Sequence, residues 1–301
     1  MTGEIFSMER FSIHDGPGVR TSIFFKGCPL HCIWCHNPES HERGPVLQYL
    51  EKECVGCAGC VSACPSGVHS FINGKHRMDR GKCTGCGLCC LACPGDALRI
   101  RGKACTAEEV LQVIGKDRPY YGEEGGVTLS GGEPLLQPDF AAEILRLCKE
   151  RGIGTCVETA GDVSQKAFLK VLADTDLFLY DYKLDTQEQM DRYTGGSLKR
   201  IRENLELLAG HGKKVVLRCP IIPGINDTRE HLKAIAELAD RLSIADTELM
   251  PYHGYGEDKW RQIGKEYALS GLPNMEKETA DICRRQLAGL RAGCHEKGRE
   301  V

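Results

Sequence analysis

Two stretches of the chain carry the same cysteine spacing, and this duplication restricts the fold more than any other feature. Each reads Cys-x-x-Cys-x-x-Cys-x-x-x-Cys-Pro, at residues 54–65 and at residues 83–94. A third group, at residues 28–35, has the spacing Cys-x-x-x-Cys-x-x-Cys. Thiolates at such short spacing are typical of metal sites. The sequence therefore predicts three separate metal centres.

The composition indicates that these cysteines stay reduced. The chain has 301 residues, 18 of them cysteine, and a net charge of −3. Its N-terminus lacks the basic start and apolar run of a signal peptide, and no stretch approaches the roughly 18 apolar residues of a membrane span. The charge gives no reason to expect nucleic acid or an anionic membrane surface as a partner. We therefore expect a cytoplasmic protein, in which thiols do not form disulfides.

Seven cysteines lie outside the three groups. We expect them to be small buried hydrophobic residues, because free cysteine commonly packs in that way. They are Cys90, Cys105, Cys148, Cys156, Cys219, Cys283 and Cys294.

Strand and helix patterns alternate outside the duplicated runs. Residues 21–27 are typical of a buried strand, and five further strands alternate with helices from residue 106 onward. Thr106 and Glu109 fit a capping box at the start of the first of these helices. Six βα units are fewer than the eight of a closed barrel, so we expect an α/β fold with a partial (β/α)6 barrel whose site lies at the C-terminal strand ends. Residues 1–45 and 104–301 would form the barrel, and residues 46–103 an inserted domain.

The three-cysteine group directly follows the first predicted strand, at Cys28, Cys32 and Cys35. Four thiolates normally hold a 4Fe–4S cluster. Three thiolates leave one iron without a protein ligand, which is an open position of the kind that catalytic metal sites keep. Zinc is the alternative, but no fourth ligand stands at the usual zinc spacing, and His31 and His36 adjoin the cysteines too closely.

This loop resembles the signature of the radical S-adenosylmethionine (SAM) superfamily, Cys-x-x-x-Cys-x-aromatic-Cys, with Trp34 as the aromatic residue. The resemblance implies that the open iron binds the methionine part of SAM, and that reduction of the cluster yields methionine and a 5′-deoxyadenosyl radical. Gly131-Gly132-Glu133-Pro134, at the end of the next strand, is similar to the family's GGEP loop. Glycines would let the backbone approach the cofactor, and Glu133 would pair with its ammonium group.

Both flanks of the loop resemble one subfamily, the glycyl-radical-enzyme activating enzymes of the pyruvate formate-lyase-activating-enzyme type. The matching segments are residues 13–20 and residues 35–39. The resemblance implies that Asp15 touches an incoming glycine loop, and that a monovalent cation lies near Glu158 and Asp181, although the family often has Asp at position 158. It also implies a set of cofactor contacts from later strand ends: Glu158, Thr159, Asp181, Lys183, Arg218 and His253.

Three of these assignments have a simpler alternative. His253 could be a structural histidine. Asp181 and Lys183 could be a solvated charge pair, and Asp15-Gly16-Pro17-Gly18 could be an ordinary turn.

The duplicated runs have the pattern of bacterial two-cluster ferredoxins, in which the fourth cysteine of one run ligates the cluster of the other. A zinc ribbon would explain four cysteines but not two identical runs. The expected role of this bacterial-ferredoxin-like domain is to relay low-potential electrons from a donor such as flavodoxin or ferredoxin, and a docking or structural module is the alternative. The pattern assigns Cys54, Cys57, Cys60 and Cys93 to one 4Fe–4S cluster and Cys64, Cys83, Cys86 and Cys89 to the second, with Cys90 as a bystander.

Together the residues and the resemblance predict a radical SAM oxidoreductase with three 4Fe–4S clusters. Its 5′-deoxyadenosyl radical would abstract hydrogen from a backbone glycine of a partner glycyl radical enzyme, in anaerobic metabolism. A radical SAM enzyme acting on a small molecule or peptide is the alternative, but such enzymes commonly carry C-terminal cysteine clusters, and only Cys283 and Cys294 remain there. A non-enzymatic electron carrier would not need the three-cysteine loop with GGEP.

Overall fold

The computed structural model describes residues 1–297, with side chains described through residue 293. Within these residues the strands are β1 Thr2–Ser12, β2 Arg20–Phe25, β3 Val46–Tyr49, β4 His69–Ile72, β5 Lys75–Met78, β6 Leu98–Arg101, β7 Lys103–Thr106, β8 Gly126–Gly131, β9 Gly154–Thr159, β10 Leu177–Asp181, β11 Lys214–Ile221 and β12 Asp246–Pro251. The α-helices are α1 Gly59–Ala63, α2 Leu88–Leu91, α3 Ala107–Asp117, α4 Pro138–Glu150, α5 Gln165–Val171, α6 Gln187–Tyr193, α7 Leu198–Gly210, α8 Arg229–Arg241, α9 Glu257–Gln262 and α10 Lys277–Lys297. Short 3-10 helices occur at Pro38–Ser40, Glu51–Glu53, Arg80–Lys82, Arg118–Tyr120, Pro134–Leu136 and Gly254–Gly256.

Eight strands form the main sheet, in the order β12-β11-β10-β9-β8-β2-β1-β7. The six strands from β12 to β2 are parallel to their neighbours. Each successive one takes the next position in the sheet, as consecutive βα units do. Strands β12 and β7 are the two edges, so the sheet does not close on itself. The predicted α/β fold with six parallel strands is confirmed.

Strands β1 and β7 are absent from the sequence-based prediction. They pair antiparallel with each other, and β1 also pairs antiparallel with β2, so they extend the sheet beyond the parallel strands. The register of β1 against β2 shifts between Ile5 and Ser7 and again between Glu9 and Ser12. Such irregularities break the two-residue alternation by which a strand is recognised in a sequence.

The helices begin where local sequence signals place them. The side-chain hydroxyl of Thr106 accepts from the main-chain N–H of Glu109 at 3.2 Å, and the carboxylate of Glu109 accepts from the N–H of Thr106 at 2.7 Å. This is the predicted capping box, and it starts α3. Helix α4 begins with Pro138, whose missing N–H costs nothing in the first turn.

Strand β10 illustrates how the sheet separates the core from the site. Phe178 and Tyr180 are buried in the main core, on the side of the sheet that the helices cover. Leu177 and Leu179 lie on the opposite face, in a smaller apolar cluster that also contains Cys156 and Val216. Asp181 follows Leu179 by two residues and so continues this inner face at the C-terminal end of the strand.

The region between β2 and β7 forms two small antiparallel sheets of its own. Strand β3 pairs with β6, and β4 pairs with β5 as a hairpin. The short helices α1 and α2 each follow the second cysteine of a run and pack against each other. The boundaries of an inserted domain at residues 46 and 103 stay a prediction, although β7, which joins the main sheet, begins at Lys103.

Most of the scattered cysteines lie in the interior. Each cysteine whose side chain the structure describes is a free thiol. Cys90 is partly buried, and the side chain of Cys294 lies outside the described residues. The buried ones are Cys105, Cys148, Cys156, Cys219 and Cys283, as expected for small hydrophobic residues. Within residues 1–297, none of the helices combines the length and the apolar character needed to cross a membrane.

Candidate functional site

A cavity opens at the C-terminal ends of the parallel strands, where the sequence predicts the chemistry. Its walls come from the loop after β2 and from the ends of β8, β9, β10, β11 and β12. The predicted site residues that line it are Cys28, Cys32, Trp34, Cys35, Gly131, Gly132, Glu158, Thr159, Asp181, Lys183 and His253. Asp15, Glu133 and Arg218 are not among the lining residues.

The three-cysteine loop is fixed to its surroundings by main-chain hydrogen bonds. The N–H of Cys28 donates to the carbonyl of His41 at 3.1 Å, and the N–H of Cys35 to the carbonyl of Cys32 at 3.0 Å. Burial raises the pKa of the Cys35 thiol to about 12, and a neighbouring Cys32 thiolate would raise it further. Cys32 is buried and Cys28 and Cys35 are partly buried. Three thiolates this close together would need a metal centre to offset their negative charge, and metal ligands must be deprotonated. The donor set therefore fits an iron–sulfur cluster.

The two glycines of the GGEP loop are required by backbone packing. Gly131 has φ +107°, and a Cβ there would lie 2.4 Å from the main-chain nitrogen of Phe25. A Cβ on Gly132 would lie 2.2 Å from the carbonyl oxygen of Gly27. The N–H of Glu133 donates to that same carbonyl at 2.8 Å. The glycines thus let the loop after β8 lie directly against the loop that carries the cysteines. The sequence analysis had explained them differently, as residues that let the backbone approach a cofactor.

Glu133 is not among the residues that line the cavity, and the pairing of its carboxylate with the cofactor's ammonium group stays a prediction. The side chain is fully buried. Its carboxylate accepts from the hydroxyl of Thr159 at 2.8 Å, from the N–H of Ala160 at 3.0 Å and from the N–H of Leu135 at 3.1 Å. Burial raises the pKa of Glu133 to about 7. Glu133 therefore braces the loops after β8 and β9 behind the cavity wall.

Two pairs of opposite charge stand on the inner face of the sheet. The Nζ of Lys183 lies 2.8 Å from Asp181, and the side chains are 14% and 20% exposed, so this pair is not the solvated one of the alternative interpretation. Burial lowers the pKa of Lys183, but Asp181 and the nearby thiols outweigh it, so the net shift is upward. The second oxygen of Asp181 is buried, and it has no hydrogen-bond partner among the residues that the structure describes.

Arg218 forms an ion pair with Glu158. Its Nη1 lies 2.7 Å from the Glu158 carboxylate, whose other oxygen accepts from the hydroxyl of Ser130. Burial raises the pKa of Glu158, and Arg218 opposes that shift. Because Arg218 and Lys183 already compensate Glu158 and Asp181, a monovalent cation would have to displace one of these two pairs.

Three aromatic side chains lie together at the end of strand β12, beside the cavity. His253 lines the cavity, and its ring lies 4.3 Å from the ring of His36 and 4.5 Å from that of Tyr255, measured between centroids. His36 Nε2 is 3.0 Å from the carbonyl of His253. Burial lowers the pKa of His36 to about 4, so the ring is neutral at pH 7. The sequence offered a signal for His36, since it lies in the family-like segment 35–39, but the only individual role considered for it was that of a zinc ligand.

Asp15 is held in a turn beside strands β2 and β8 and is not among the residues that line the cavity. Its carboxylate accepts from the hydroxyls of Ser12 at 2.6 Å and Ser22 at 2.5 Å. Its carbonyl accepts from Thr128 Oγ1 at 2.6 Å. Gly16, which follows it, has φ +119°, as a turn at that position requires. The segment is thus a turn with a fixed carboxylate, and contact of Asp15 with a glycine loop stays a prediction.

One set of four cysteines from the duplicated runs lines a single small cavity. These residues are Cys54, Cys57, Cys60 and Cys93. The set mixes three cysteines of the first run with the fourth of the second run, as the ferredoxin pattern predicts. Three cysteines of the other set also lie near one another, since burial and then the neighbouring thiols Cys83 and Cys64 raise the pKa of Cys89.

The fourth cysteines of the two runs have equivalent surroundings. The Sγ of Cys64 accepts from the N–H of Val68 at 3.4 Å, and the Sγ of Cys93 accepts from the N–H of Ala97 at 3.3 Å. Both bonds join residue i to residue i+4, so the sequence repeat is also a structural repeat. Amide donors of this kind stabilise thiolates that bind metal.

Two histidines of the β4–β5 hairpin lie beside one of these cysteines. His76 Nε2 is 3.6 Å from the Sγ of Cys60 and 3.0 Å from His69 Nδ1. Their ligand atoms lie within 4.8 Å of one another, a spacing that could hold a metal ion. Such an ion would compete with the four-cysteine set for Cys60.

Three family models match parts of this chain. The Radical SAM superfamily matches residues 82–239. A 4Fe-4S dicluster domain matches residues 47–94, and a 4Fe-4S single cluster domain matches residues 14–55.

Several activating enzymes are similar along nearly their whole length. The choline trimethylamine-lyase activating enzyme of Oleidesulfovibrio alaskensis is 40% identical, over 94% of this chain and 94% of that protein. The trans-4-hydroxy-L-proline dehydratase activating enzyme of Clostridioides difficile is 38% identical, over 93% of this chain and 94% of that protein. The 4-hydroxyphenylacetate decarboxylase activating enzyme of Clostridioides difficile is 38% identical, over 92% and 90%. A solved domain of a pyruvate-formate lyase-activating enzyme from Bacteroides vulgatus is 26% identical, with a TM-score of 0.46, over 55% of this chain and 94% of that one.

Proposed function

Because the chain belongs to the radical SAM superfamily, and within it to the activating enzymes of glycyl radical enzymes, we propose that the cavity at the strand ends holds its reactive centre. Cys28, Cys32 and Cys35 would hold a 4Fe–4S cluster there, with one iron free of protein ligands. The observation that carries this proposal is the presence of three cysteine thiols and the Asp181–Lys183 pair in the walls of one cavity. When bound, cluster and SAM supply a 5′-deoxyadenosyl radical, which takes hydrogen from a glycine of the partner.

The wall residues suit the two ends of SAM. The ammonium of Lys183 would bind the carboxylate of the methionine part, and the unpartnered oxygen of Asp181 would accept from its amino group. The neutral rings of His36 and His253 offer a flat surface for the adenine. Glu133 and Arg218 would position Thr159 and Glu158 in the wall.

The decisive test of this function uses the protein alone. Iron-loaded protein, prepared without oxygen, should contain roughly twelve irons, the content of three 4Fe–4S clusters, and should release 5′-deoxyadenosine when reduced with SAM present. A variant with Cys32→Ala should lose that product. Twelve irons without 5′-deoxyadenosine would refute the proposed site.

The duplicated cysteine runs would hold the other two clusters and relay electrons from an external carrier such as flavodoxin or ferredoxin. Support comes from the four-cysteine cavity and from the dicluster match. Replacing Cys57 or Cys86 should slow SAM cleavage driven by a protein donor and leave cleavage driven by dithionite unchanged. Variant rates that are unchanged with both reductants would refute the relay and favour a docking role.

The protein substrate would be a glycyl radical enzyme of the lyase, decarboxylase or dehydratase kind. This follows from the names of the similar activating enzymes, which match this chain along nearly its whole length. Candidate partners mixed anaerobically with the reduced protein and SAM should give the doublet of a glycyl radical in EPR spectra. The doublet should vanish when the partner's radical glycine is replaced by alanine.

A further inference from the structure

The short helix α9 contacts the loop that carries Cys28, Cys32 and Cys35. Nε1 of Trp260 donates to the carbonyl of Cys35 at 2.8 Å. Nζ of Lys259 donates to the side chain of Asn37 at 2.8 Å. These residues are more than 200 positions apart in the sequence, so the contact was not foreseeable from it.

The C-terminal end of α9 contacts the predicted ferredoxin-like region, residues 46–103. Nη2 of Arg80 donates to the carbonyl of Gln262, the last residue of α9, at 2.8 Å. Nη1 of Arg80 donates to the carbonyl of Leu47. A Cβ on Gly264 would lie 2.4 Å from Nε of Arg80, so a glycine at this position makes room for the guanidinium group.

Arg80 is in turn bonded to a cluster ligand. The main-chain N–H of Cys83 donates to the carbonyl of Arg80 at 3.0 Å. A path of hydrogen bonds and short main-chain segments therefore runs from Cys83 to Cys35. It passes through Arg80, Gln262 and Trp260. Each of these bonds has the length of a normal hydrogen bond.

The two halves of the cysteine repeat differ in what they face. Gly85, within the second run, is packed so that a Cβ would lie 2.1 Å from Pro45. Gly56, at the same place in the first run, has nothing within 4 Å. The second run is thus the one held against the rest of the chain.

We propose that α9 is the electron bridge between the two parts of the protein, with Arg80 and Trp260 as its two positioning residues. The inference rests on the proposed relay and makes it specific. The cluster held by Cys83, with its partners from the pattern, would be the immediate donor, and the cluster held by Cys54, Cys57, Cys60 and Cys93 would receive the electron first. One electron leaves the reduced carrier, crosses both clusters and the bridge, and reduces the radical cluster, where it is consumed in breaking one S–C bond of SAM.

The test compares two sources of the electron in single-turnover experiments on the iron-loaded protein. Trp260→Phe removes the N–H that bonds Cys35, and Arg80→Gln removes the guanidinium group that bonds Gln262. With a reduced protein carrier, we expect each variant to reduce the radical cluster about tenfold more slowly, a rise of about 1.4 kcal/mol in activation free energy. Because the two residues lie in series, the double variant should be no slower than the slower single one. Freeze-quenched EPR samples would follow each cluster.

Three measurements distinguish an electron bridge from a purely structural contact. Dithionite-driven cleavage, iron content and cluster reduction potentials should stay unchanged in both variants. Arg99→Gln is the matched control, since Arg99 also lies in the ferredoxin-like region but its guanidinium group pairs with the exposed Asp96, and it should behave like the unaltered protein.

Two results would overturn the bridge. Unchanged carrier-driven rates in both variants, while Cys86→Ala abolishes them, would leave the relay intact and reject α9 as its path. Slower rates accompanied by lost iron or by a shifted potential of the radical cluster would show that these residues only support the fold. If Cys86→Ala itself leaves carrier-driven rates unchanged, the relay fails, and the bridge fails with it.

Discussion

Arg218 has two carboxylate partners in very different surroundings, which allows a controlled test of the inner charge pairs. Glu158 lies 2.7 Å from Arg218 and is 19% exposed, whereas Glu248 lies 3.9 Å away and is 63% exposed. Arg218 itself is only 9% exposed. We compare Glu158→Leu with Glu248→Leu, since both remove one carboxylate from the same guanidinium group.

The expected magnitudes follow from burial. Breaking a buried ion pair leaves an uncompensated charge and costs about 3–5 kcal/mol. An exposed pair contributes about 0–1 kcal/mol. At roughly 2–4 °C per kcal/mol for a large domain, Glu158→Leu should lower the unfolding temperature by about 6–20 °C, and Glu248→Leu by less than about 4 °C.

The assay is thermal unfolding of iron-loaded protein under anaerobic conditions. All variants are scanned at one rate, because the unfolding of a cluster protein is governed by kinetics. Iron content is measured first, so that loss of a cluster is not mistaken for loss of the pair. The double variant Glu158→Leu/Arg218→Met should recover most of the lost stability, since it removes both buried charges.

The reasoning would be refuted if Glu158→Leu and Glu248→Leu shifted the unfolding temperature equally. It would also fail if the double variant were less stable than Glu158→Leu alone. Either result would mean that Arg218 is not the partner on which the Glu158 carboxylate depends.

Three further predictions concern the cofactor site, its support and the second cluster. Lys183→Met should weaken SAM binding, measured by equilibrium dialysis, by about tenfold or more, because a charge-assisted hydrogen bond contributes roughly 1.5–3 kcal/mol; unchanged affinity would exclude the ammonium as a ligand. Burial raises the pKa of Glu133 to about 7 from 4.5, so its stabilising contribution should be complete below pH 4.5 and lost as the pH rises through 7. Glu133→Gln should reduce the change in unfolding free energy between pH 4.5 and pH 7. A variant with the same pH dependence as the unaltered protein would contradict the raised pKa of Glu133. Cys64→Ala should lose about four irons, one cluster, while Cys90→Ala should keep them, and equal iron in both would show the ligand set to be wrong.

The sequence by itself determined the six parallel strands and the grouping of the cysteines. Both depend on neighbours along the chain. The strands are marked by runs of residues between turn signals, and three predicted ligands of each cluster stand within eight residues of one another. For the duplicated runs, the fourth ligand is predicted to come from the other run because the whole pattern is duplicated. Cys93 does lie with Cys54, Cys57 and Cys60 around one cavity.

Tertiary structure decided what each side chain at the strand ends does. Glu133 faces Thr159 behind the wall, and Arg218 faces Glu158, because strands far apart in sequence meet at one end of the sheet. The contact of Trp260 with Cys35 likewise joins residues that only the folded chain brings together. Local patterns specify which residues form an element. The direction and partner of a side chain depend on how several elements pack at once, and no short stretch of sequence contains that information.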